Sequence, residues 1–220
     1  MKLLIATCFY KKEINPEHVS SIIDLTHILH EMGVEYEYCF SKEKTDKSKN
    51  AFVNKLLSSD FTHMLLVDPN ISWDVRGVIR LLKAAKHGAE LIGGVYSQFG
   101  IYDVEPITED GYVKGYDTKD FRLIESNFVN GGFILYSRKA FERVSDFVES
   151  YTEKTQQDEE FQVKEFFKMV KEFIRSEDVF FQKTYKEHGG QILIEPNITF
   201  KFYGSNNWKG NYNQFLLGAG

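Results

Sequence analysis

Residues 63–70 read His-Met-Leu-Leu-Val-Asp-Pro-Asn, and this stretch decides the fold. The apolar run His63–Val67 predicts a buried strand, and the turn formers Asp68-Pro69-Asn70 predict where it ends. Ligands of open α/β sheets bind at the carboxyl ends of the strands. An acid and an amide two residues apart at that place can face a metal–diphosphate, because hard oxygen ligands suit Mg²⁺ and Mn²⁺. The same three residues also make an ordinary turn, so both interpretations stay open.

Strands and helices alternate through the first hundred residues. Asn15 and Pro16 are a typical helix cap and first helical residue, and apolar side chains follow at helical spacing from Val19 to Met32. The predicted strands are 3–7, 34–40, 63–67 and 91–96, and the predicted helices are 16–32, 48–57 and 74–87. This alternation is typical of an α/β fold with a mostly parallel central sheet flanked by helices.

The second half of the chain has a weaker periodicity. It predicts a strand over 128–136, a helix over 138–149 and a helix over 176–188. Residues 151–175 are strongly charged, but their apolar members mark one face of a further predicted helix. These members are Phe166, Met169, Val170, Phe173 and Ile174.

The composition disfavours several classes of protein. The 220 residues are 42% hydrophobic and 27% charged, which rules out global disorder. The net charge of −5 disfavours a nucleic-acid binder. Cys8 and Cys39 are too few for a disulfide framework or a four-ligand zinc site, and we expect buried thiols. Neither a signal peptide nor a membrane-spanning run is visible, so the expected location is the cytoplasm.

Two further groups of residues carry candidate chemistry. Glycine inside an apolar strand, as in Asn130-Gly131-Gly132, indicates either a bulge or a place where a ligand approaches the backbone. Ser176-Glu177-Asp178 begins a helix, where acids suit the helix dipole but can also act as a general base. The signatures of a dinucleotide-binding loop, a phosphate-binding loop and a nucleophile elbow do not occur in the sequence.

Aromatic residues make up 15% of the chain and divide into two groups. One group falls on the inward faces of predicted elements and is expected in the core. The other lies beside the polar motifs at strand ends, where a ring could stack on a base or a sugar. The members of this second group are Tyr10, Trp73, Tyr96, Tyr203 and Trp208.

Six motifs, taken in order from about Lys2 to Gly210, together resemble those of the GT-A glycosyltransferases, most closely the small soluble ones of viruses and bacteria. The motifs are Thr7-Cys8-Phe9-Tyr10, Ser48-Lys49-Asn50, residues 63–73, Gly93-Gly94-Val95-Tyr96, residues 130–141 and Ser176-Glu177-Asp178. The resemblance implies one Rossmann-like GT-A domain over residues 1–220. Its nucleotide-binding half would be 1–100 and its acceptor-side half 101–220.

The resemblance also implies a reaction, the transfer of a sugar from a nucleotide-diphosphate donor, commonly a UDP-sugar, to a hydroxyl of a glycan or protein acceptor. If the reaction inverts, Asp178 would be the general base, with Glu177 as the second candidate, whereas a retaining reaction would give these acids another role. Residues 151–175 would be either a lid over the acceptor or a scaffold helix. The implied donor-binding residues are Thr7, Cys8, Tyr10, Lys49, Asn50, Asp68, Asn70, Gly131 and Gly132, of which Asp68 and Asn70 would also hold Mn²⁺ or Mg²⁺.

The sequence departs from the family at the metal site. Asn70 stands where the family has the second Asp of Asp-x-Asp, and Phe202 stands where it has the His of a later His-x-Gly. Either Asp68 and Asn70 hold a loose metal, or Lys201 and Lys209 partly replace it by neutralising the phosphates. The departures leave open a catalytically silent GT-A domain that binds nucleotide or glycan. A nucleotidyltransferase is disfavoured, since no glycine-rich basic loop follows the first strand.

Overall fold

A computed structural model describes residues 1–9, 14–98, 100–110, 112–117, 122–154, 158, 160–170, 177–204 and 207–217. The first half alternates strands and helices in the predicted order. Its elements are β1 (Lys2–Cys8), α1 (Pro16–Glu31), β2 (Glu35–Ser41), α2 (Thr45–Ser58), β3 (His63–Val67), β4 (Ile71–Trp73), α3 (Val75–Lys86) and β5 (Leu91–Gly94).

Short strands dominate the second half. They are β6 (Ser97–Gln98), β7 (Ile101–Tyr102), β8 (Val104–Pro106), β9 (Thr108–Glu109), β10 (Tyr112–Val113), β11 (Gly115–Asp117), β12 (Arg122–Val129), β13 (Phe133–Ser137), β14 (Ser150–Lys154), β15 (Glu160–Lys164), β16 (Ile192–Glu195), β17 (Phe200–Phe202) and β18 (Trp208–Gly210). The helices are α4 (Arg138–Val144), α5 (Asp178–Glu187) and α6 (Tyr212–Leu216), with a 3₁₀ turn at Ser145–Phe147.

Nine of the described strands form the central sheet, and eight of them follow the order β11-β12-β16-β5-β13-β3-β1-β2. β2, β1, β3, β5 and β16 point in one direction, so the α/β fold has the mostly parallel sheet that the sequence predicts. β13 is inserted antiparallel between β3 and β5. Its first residue, Phe133, pairs with Val67, the last residue of β3. The turn before Phe133 therefore lies at the carboxyl end of β3.

Helices cover both faces of the sheet, which explains why its central strands are apolar throughout. Alternate residues of β3 enter opposite cores. Met64 and Leu66 pack on the side of α2, α4 and α5, whereas Leu65 and Val67 pack on the side of α1 and α3. Among the described residues, no helix is both long and apolar enough to cross a lipid bilayer.

α1 begins at Pro16 as predicted, and both apolar and polar residues orient it. Leu25 and Leu29 are buried as their spacing predicts, whereas Val19, Ile23 and Met32 are exposed, and the inward face also carries two polar residues. His18 Nδ1 donates to the Ile71 carbonyl (3.1 Å), and Ser21 Oγ accepts from the Trp73 N–H (3.2 Å). These bonds fix α1 against β4, the strand that follows the Asp68 turn.

Two predicted helix boundaries are wrong. α2 begins at Thr45 rather than Ser48, and Ser48 lies buried inside it, where its hydroxyl donates to the Glu43 carbonyl (3.1 Å). The helix predicted over 138–149 ends at Val144 and continues only as a 3₁₀ turn.

The helix predicted within residues 151–175 is also wrong over its described part. β14 and β15 form an antiparallel hairpin there. Phe166 and Phe167 then enter the core from an irregular segment. The Asn50 side chain bonds both the N–H and the carbonyl of Phe167, each at 2.9 Å. Phe166 is thus buried by a non-helical segment that packs onto α2, whereas Met169 of the same predicted face is exposed. Residues 171–175 lie outside the described residues.

Candidate active site

A cleft of about 360 Å³ opens at the carboxyl ends of β1 and β3. The antiparallel insertion of β13 closes one side of it, because this strand begins where β3 ends. Of the described residues that the sequence assigns to a site, seven line the cleft, namely Cys8, Lys49, Asp68, Gly131, Gly132, Glu177 and Asp178. The motifs of both halves of the chain thus meet at one edge of the sheet.

A buried lysine with two carboxylates occupies one wall of the cleft. Lys49 Nζ lies 2.6 Å from Asp178 Oδ1 and 2.7 Å from Glu177 Oε1, and all three residues are buried. Burial alone would lower the pKa of Lys49, but the nearby charges of Asp178 and Glu177 outweigh it and raise that pKa above its ordinary value. The lysine is therefore a fixed cation at neutral pH. Its ammonium also lies 5.3 Å from the centre of the Phe167 ring.

Two glycines allow side chains to approach the β12–β13 turn. A Cβ atom at Gly131 would overlap the carboxylate of Asp178, and one at Gly132 would overlap the hydroxyl of Tyr96. Asn130 Oδ1 accepts from the Gly132 N–H (2.9 Å) and turns the chain, so the strand predicted over 128–136 is two strands. The space expected to accept a donor sugar holds the Asp178 carboxylate in this structure.

The Asp68 turn separates the two residues that the sequence assigns to a metal. Asp68 lies in the cleft, where its N–H donates to the Gly132 carbonyl (2.7 Å) and its Oδ1 accepts from the Asn70 N–H (2.8 Å). Asn70 is not among the described residues that line the cleft. Its carbonyl instead accepts from the Tyr203 N–H (2.7 Å) on the outer side of the turn.

The remaining residues assigned to the nucleotide have other surroundings. Neither Thr7 nor Asn50 is among the described residues that line the cleft, since Thr7 is buried within β1 and Asn50 bonds Phe167. Cys8 does line it, and burial raises the pKa of its thiol to about 12, so the thiol is neutral. Tyr10 lies outside the described residues.

The residues present do not fit a metal site built by the protein. Within the described ranges, no group of three or more His, Cys, Asp or Glu side chains is placed to hold an ion. Asp68 lines the cleft without Asn70, and two of the other cleft carboxylates, Glu177 and Asp178, are paired with Lys49. The fixed positive charge of the cleft therefore comes from a lysine.

The structure places Tyr96, one of the aromatic residues expected to stack on a base or a sugar, in the cleft and adds residues that sequence reasoning did not assign to a site. Tyr96 is fully buried, and burial, followed by the nearby charge of Asp68, holds the pKa of its hydroxyl well above 10, so it stays a neutral donor. Gln98 Nε2 donates to that hydroxyl (3.1 Å). Asp103 and Thr45 also line the cleft. Asp103 falls in a stretch of weak periodicity, and no sequence signal distinguishes it from a surface acid.

Comparisons with known proteins agree with this architecture. No protein-family model matches the chain, and no curated protein matches its sequence. Solved structures similar to it in fold include three with a TM-score above 0.5. A197 from STIV has a TM-score of 0.56 at 12% identity, covering 93% of this chain and 87% of that one. GalNAc-T7 with UDP, GalNAc and Mn²⁺ has a TM-score of 0.51 at 11% identity, covering 93% and 44%.

The third similar structure is S. aureus TarS 1–349 in complex with UDP-GlcNAc, with a TM-score of 0.51 at 9% identity, covering 96% of this chain and 60% of that one. The chain therefore spans less than two thirds of TarS 1–349 and of GalNAc-T7. Likeness at such low identity concerns the fold alone. The chain has the GT-A fold, as its motifs predict.

Proposed function

We propose that this protein is a glycosyltransferase that moves a sugar from a nucleotide-diphosphate donor, a UDP-sugar, to a hydroxyl of a glycan or protein acceptor. The observation that carries the proposal is the buried Asp178 carboxylate, which Lys49 holds at the carboxyl ends of the GT-A strands. The donor class is supported by two neighbours in fold, one solved with UDP and one with UDP-GlcNAc.

In the proposed inverting reaction, the acceptor oxygen forms a bond to the anomeric carbon while the bond from that carbon to the diphosphate breaks. The acceptor proton passes to Asp178, and the nucleotide diphosphate leaves with the bonding electrons. Lys49 keeps Asp178 ionised before the reaction and supplies positive charge towards the leaving phosphates. Glu177 contacts the same ammonium and is the second candidate base.

A donor-binding experiment tests the proposal at its first step. Thermal unfolding is followed with UDP-, GDP- and TDP-sugars, each with and without Mn²⁺. A ligand that binds the native state at about 100 times its Kd contributes about 2.7 kcal/mol. For a chain of this size, that raises the Tm by roughly 5–10 °C. No shift with any of these donors would count against the whole proposal.

Asp178→Asn tests the chemical step. The substitution keeps the shape of the side chain, and Glu177 remains to pair with Lys49, so we expect donor binding to survive while sugar transfer is lost. The matched control is Asp24→Asn on the exposed side of α1, which should transfer sugar at the wild-type rate. Full activity of Asp178→Asn would remove the base assignment and make Glu177→Gln the next variant.

A second candidate function is a catalytically silent domain that binds a nucleotide sugar. The placement of Asn70 outside the cleft favours it, together with the poor fit of the cleft to a metal. Donor binding and sugar transfer by the wild-type protein separate the two candidates. A rise in Tm with a donor but no transfer of sugar supports the silent domain, whereas transfer by wild type excludes it.

A further inference from the structure

A second cavity of about 270 Å³ lies on the outer side of the Asp68 turn. Its lining comes from the first turn of α1 and from the end of the chain, and consists of Glu17, Lys201, Tyr203, Asn207, Trp208 and Lys209. The Tyr203 N–H donates to the Asn70 carbonyl, and the Tyr203 hydroxyl lies 3.2 Å from Ser72 Oγ. The inner side of the Asp68 turn faces the cleft, and its outer side thus forms one boundary of the second cavity.

The β6–β7 hairpin connects the two sites. Gln98, in β6, lines the cleft and bonds Tyr96 there. Gly100, in the turn between the two strands, contacts the indole of Trp208, because a Cβ atom built on it would lie 3.4 Å from Cη2. The indole is therefore supported on the hairpin side while 38% of the residue stays exposed. The same short hairpin thus contacts both the cleft, through Gln98, and Trp208, through Gly100.

A carboxylate with ordered partners lies beside the indole. Lys201 Nζ donates to Glu17 Oε2 (2.9 Å), and the Tyr203 hydroxyl donates to the same oxygen. These two bonds, that of Tyr203 first, lower the pKa of Glu17, so it stays an ionised acceptor. Lys209, on β18, presents a further cation at the cavity. The cavity thus offers a flat ring together with hydrogen-bond donors and an acceptor.

We propose that this cavity is the acceptor subsite, and that it binds a saccharide whose ring stacks on the indole of Trp208 while its hydroxyls bond to Glu17, Asn207 and Lys209. The inference rests on the proposed function. A sugar ring has an apolar C–H face and a rim of hydroxyls, which match an indole face and the surrounding polar groups. A nucleotide is the competing ligand, because Lys201 and Lys209 attract phosphate, whereas the Glu17 carboxylate repels it and accepts from hydroxyls.

The two tryptophans of the chain allow a direct test. Trp73 is 7% exposed, so acrylamide quenches mainly the fluorescence of Trp208. The probes are lactose, maltose and N,N′-diacetylchitobiose, and UMP is the nucleotide with which they are compared. We expect at least one disaccharide to protect the fluorescence in a saturable manner, and UMP to protect it less. Protection by none of the three sugars, or equal protection by UMP, would overturn the inference.

Variants locate the binding by titration calorimetry with the protecting disaccharide. Trp208→Ala should raise the Kd of the disaccharide at least about tenfold, equivalent to about 1.4 kcal/mol. Trp208→Phe keeps an aromatic ring, so its loss of affinity should be smaller. Phe215→Ala is the matched control, because Phe215 is an exposed ring on α6 outside the cavity, and it should not change the Kd. Trp208→Ala with wild-type affinity would overturn the inference.

Donor binding is measured on the same proteins to separate the two proposals. Trp208→Ala should keep the thermal shift produced by the nucleotide sugar, because Trp208 is not among the described residues that line the cleft. If the donor raises the Tm but no saccharide binds at Trp208, the acceptor-subsite inference is refuted and the glycosyltransferase proposal is retained. Saccharide binding without any donor shift supports a sugar site at Trp208 and counts against the proposed function.

Discussion

Replacing Lys49 by methionine should severely destabilise the protein. The side chain of Lys49 is 6% exposed and lies within 2.7 Å of carboxylate oxygens of both Glu177 and Asp178. Methionine has a similar length but no charge, so it would leave two buried carboxylates side by side without their cation. Removing one partner of a buried ion pair costs about 3–5 kcal/mol. That is a large part of the roughly 5–15 kcal/mol by which domains are stable.

Equilibrium unfolding in urea at pH 7.5 measures this loss. The folded pKa of Lys49 lies above its ordinary value of 10.5, so the contribution of the lysine is fully present below that pH and is lost only at higher pH. The lysine therefore does not titrate during the measurement. Lys47→Met is the matched control, because Lys47 is also on α2 but is 55% exposed and 3.3 Å from Glu153. It should cost less than about 1 kcal/mol.

A triple variant separates the charge effect from packing. Lys49→Met combined with Glu177→Gln and Asp178→Asn removes all three charges while nearly conserving volume. Because a buried ion pair can often be replaced by uncharged groups at little cost, we expect most of the lost stability to return. A loss below about 1 kcal/mol for Lys49→Met, or a triple variant no more stable than it, would refute the reasoning.

Three further predictions concern the surroundings of the site. Gly131→Ala places a Cβ against the Asp178 carboxylate, so it should cost about 1–3 kcal/mol in urea unfolding and abolish transfer measured with donor and acceptor. Burial, assisted by the N-terminal charge, lowers the pKa of His63 from 6.5 to about 4. The unfolded chain therefore takes up this proton first, and stability should fall from pH 6.5 towards 4 by on the order of 1–3 kcal/mol, after allowance for partial exposure. His63→Gln should remove that part of the slope, and an unchanged slope would contradict the assignment. Asn50→Ala leaves the buried N–H and carbonyl of Phe167 without their partner, so it should cost about 1–3 kcal/mol and speed hydrogen exchange at that amide. Unchanged exchange there would show that the bond does not hold the segment.

The sequence predicts elements well where local signals and burial agree. β3 and α3 follow their patterns closely, because β3 is buried on both faces and α3 has its own cap at Asp74. The hairpin of β14 and β15 could not be predicted in this way. Its location depends on contacts with α2, and the bond from Asn50 to Phe167 joins residues 117 positions apart.

The candidate site, too, is predicted by the sequence in one respect and not in another. The order of the motifs indicates which parts of the chain meet, and Lys49 does meet Asp178 across 129 positions. What the motifs do not give is the direction of each side chain. Asn50 follows Lys49 by one helical residue, so it points about 100° away and reaches Phe167 instead of the cleft. The backbone carbonyl of Asn70 accepts from the N–H of Tyr203, which directly follows β17 and lies 133 positions further along the chain.

The position of β13 has a consequence for synthesis on the ribosome. β3 and β5 are complete once residue 94 has been made, yet they are not adjacent in the sheet, because residues 133–137 lie between them. Until about forty more residues have emerged, both strands present an open edge and apolar faces. Residues 1–94 are thus expected to bind chaperones as they emerge. β13 fills the gap between β3 and β5, whereas the other edge of β5 stays open until residues 192–195 of β16 have been made.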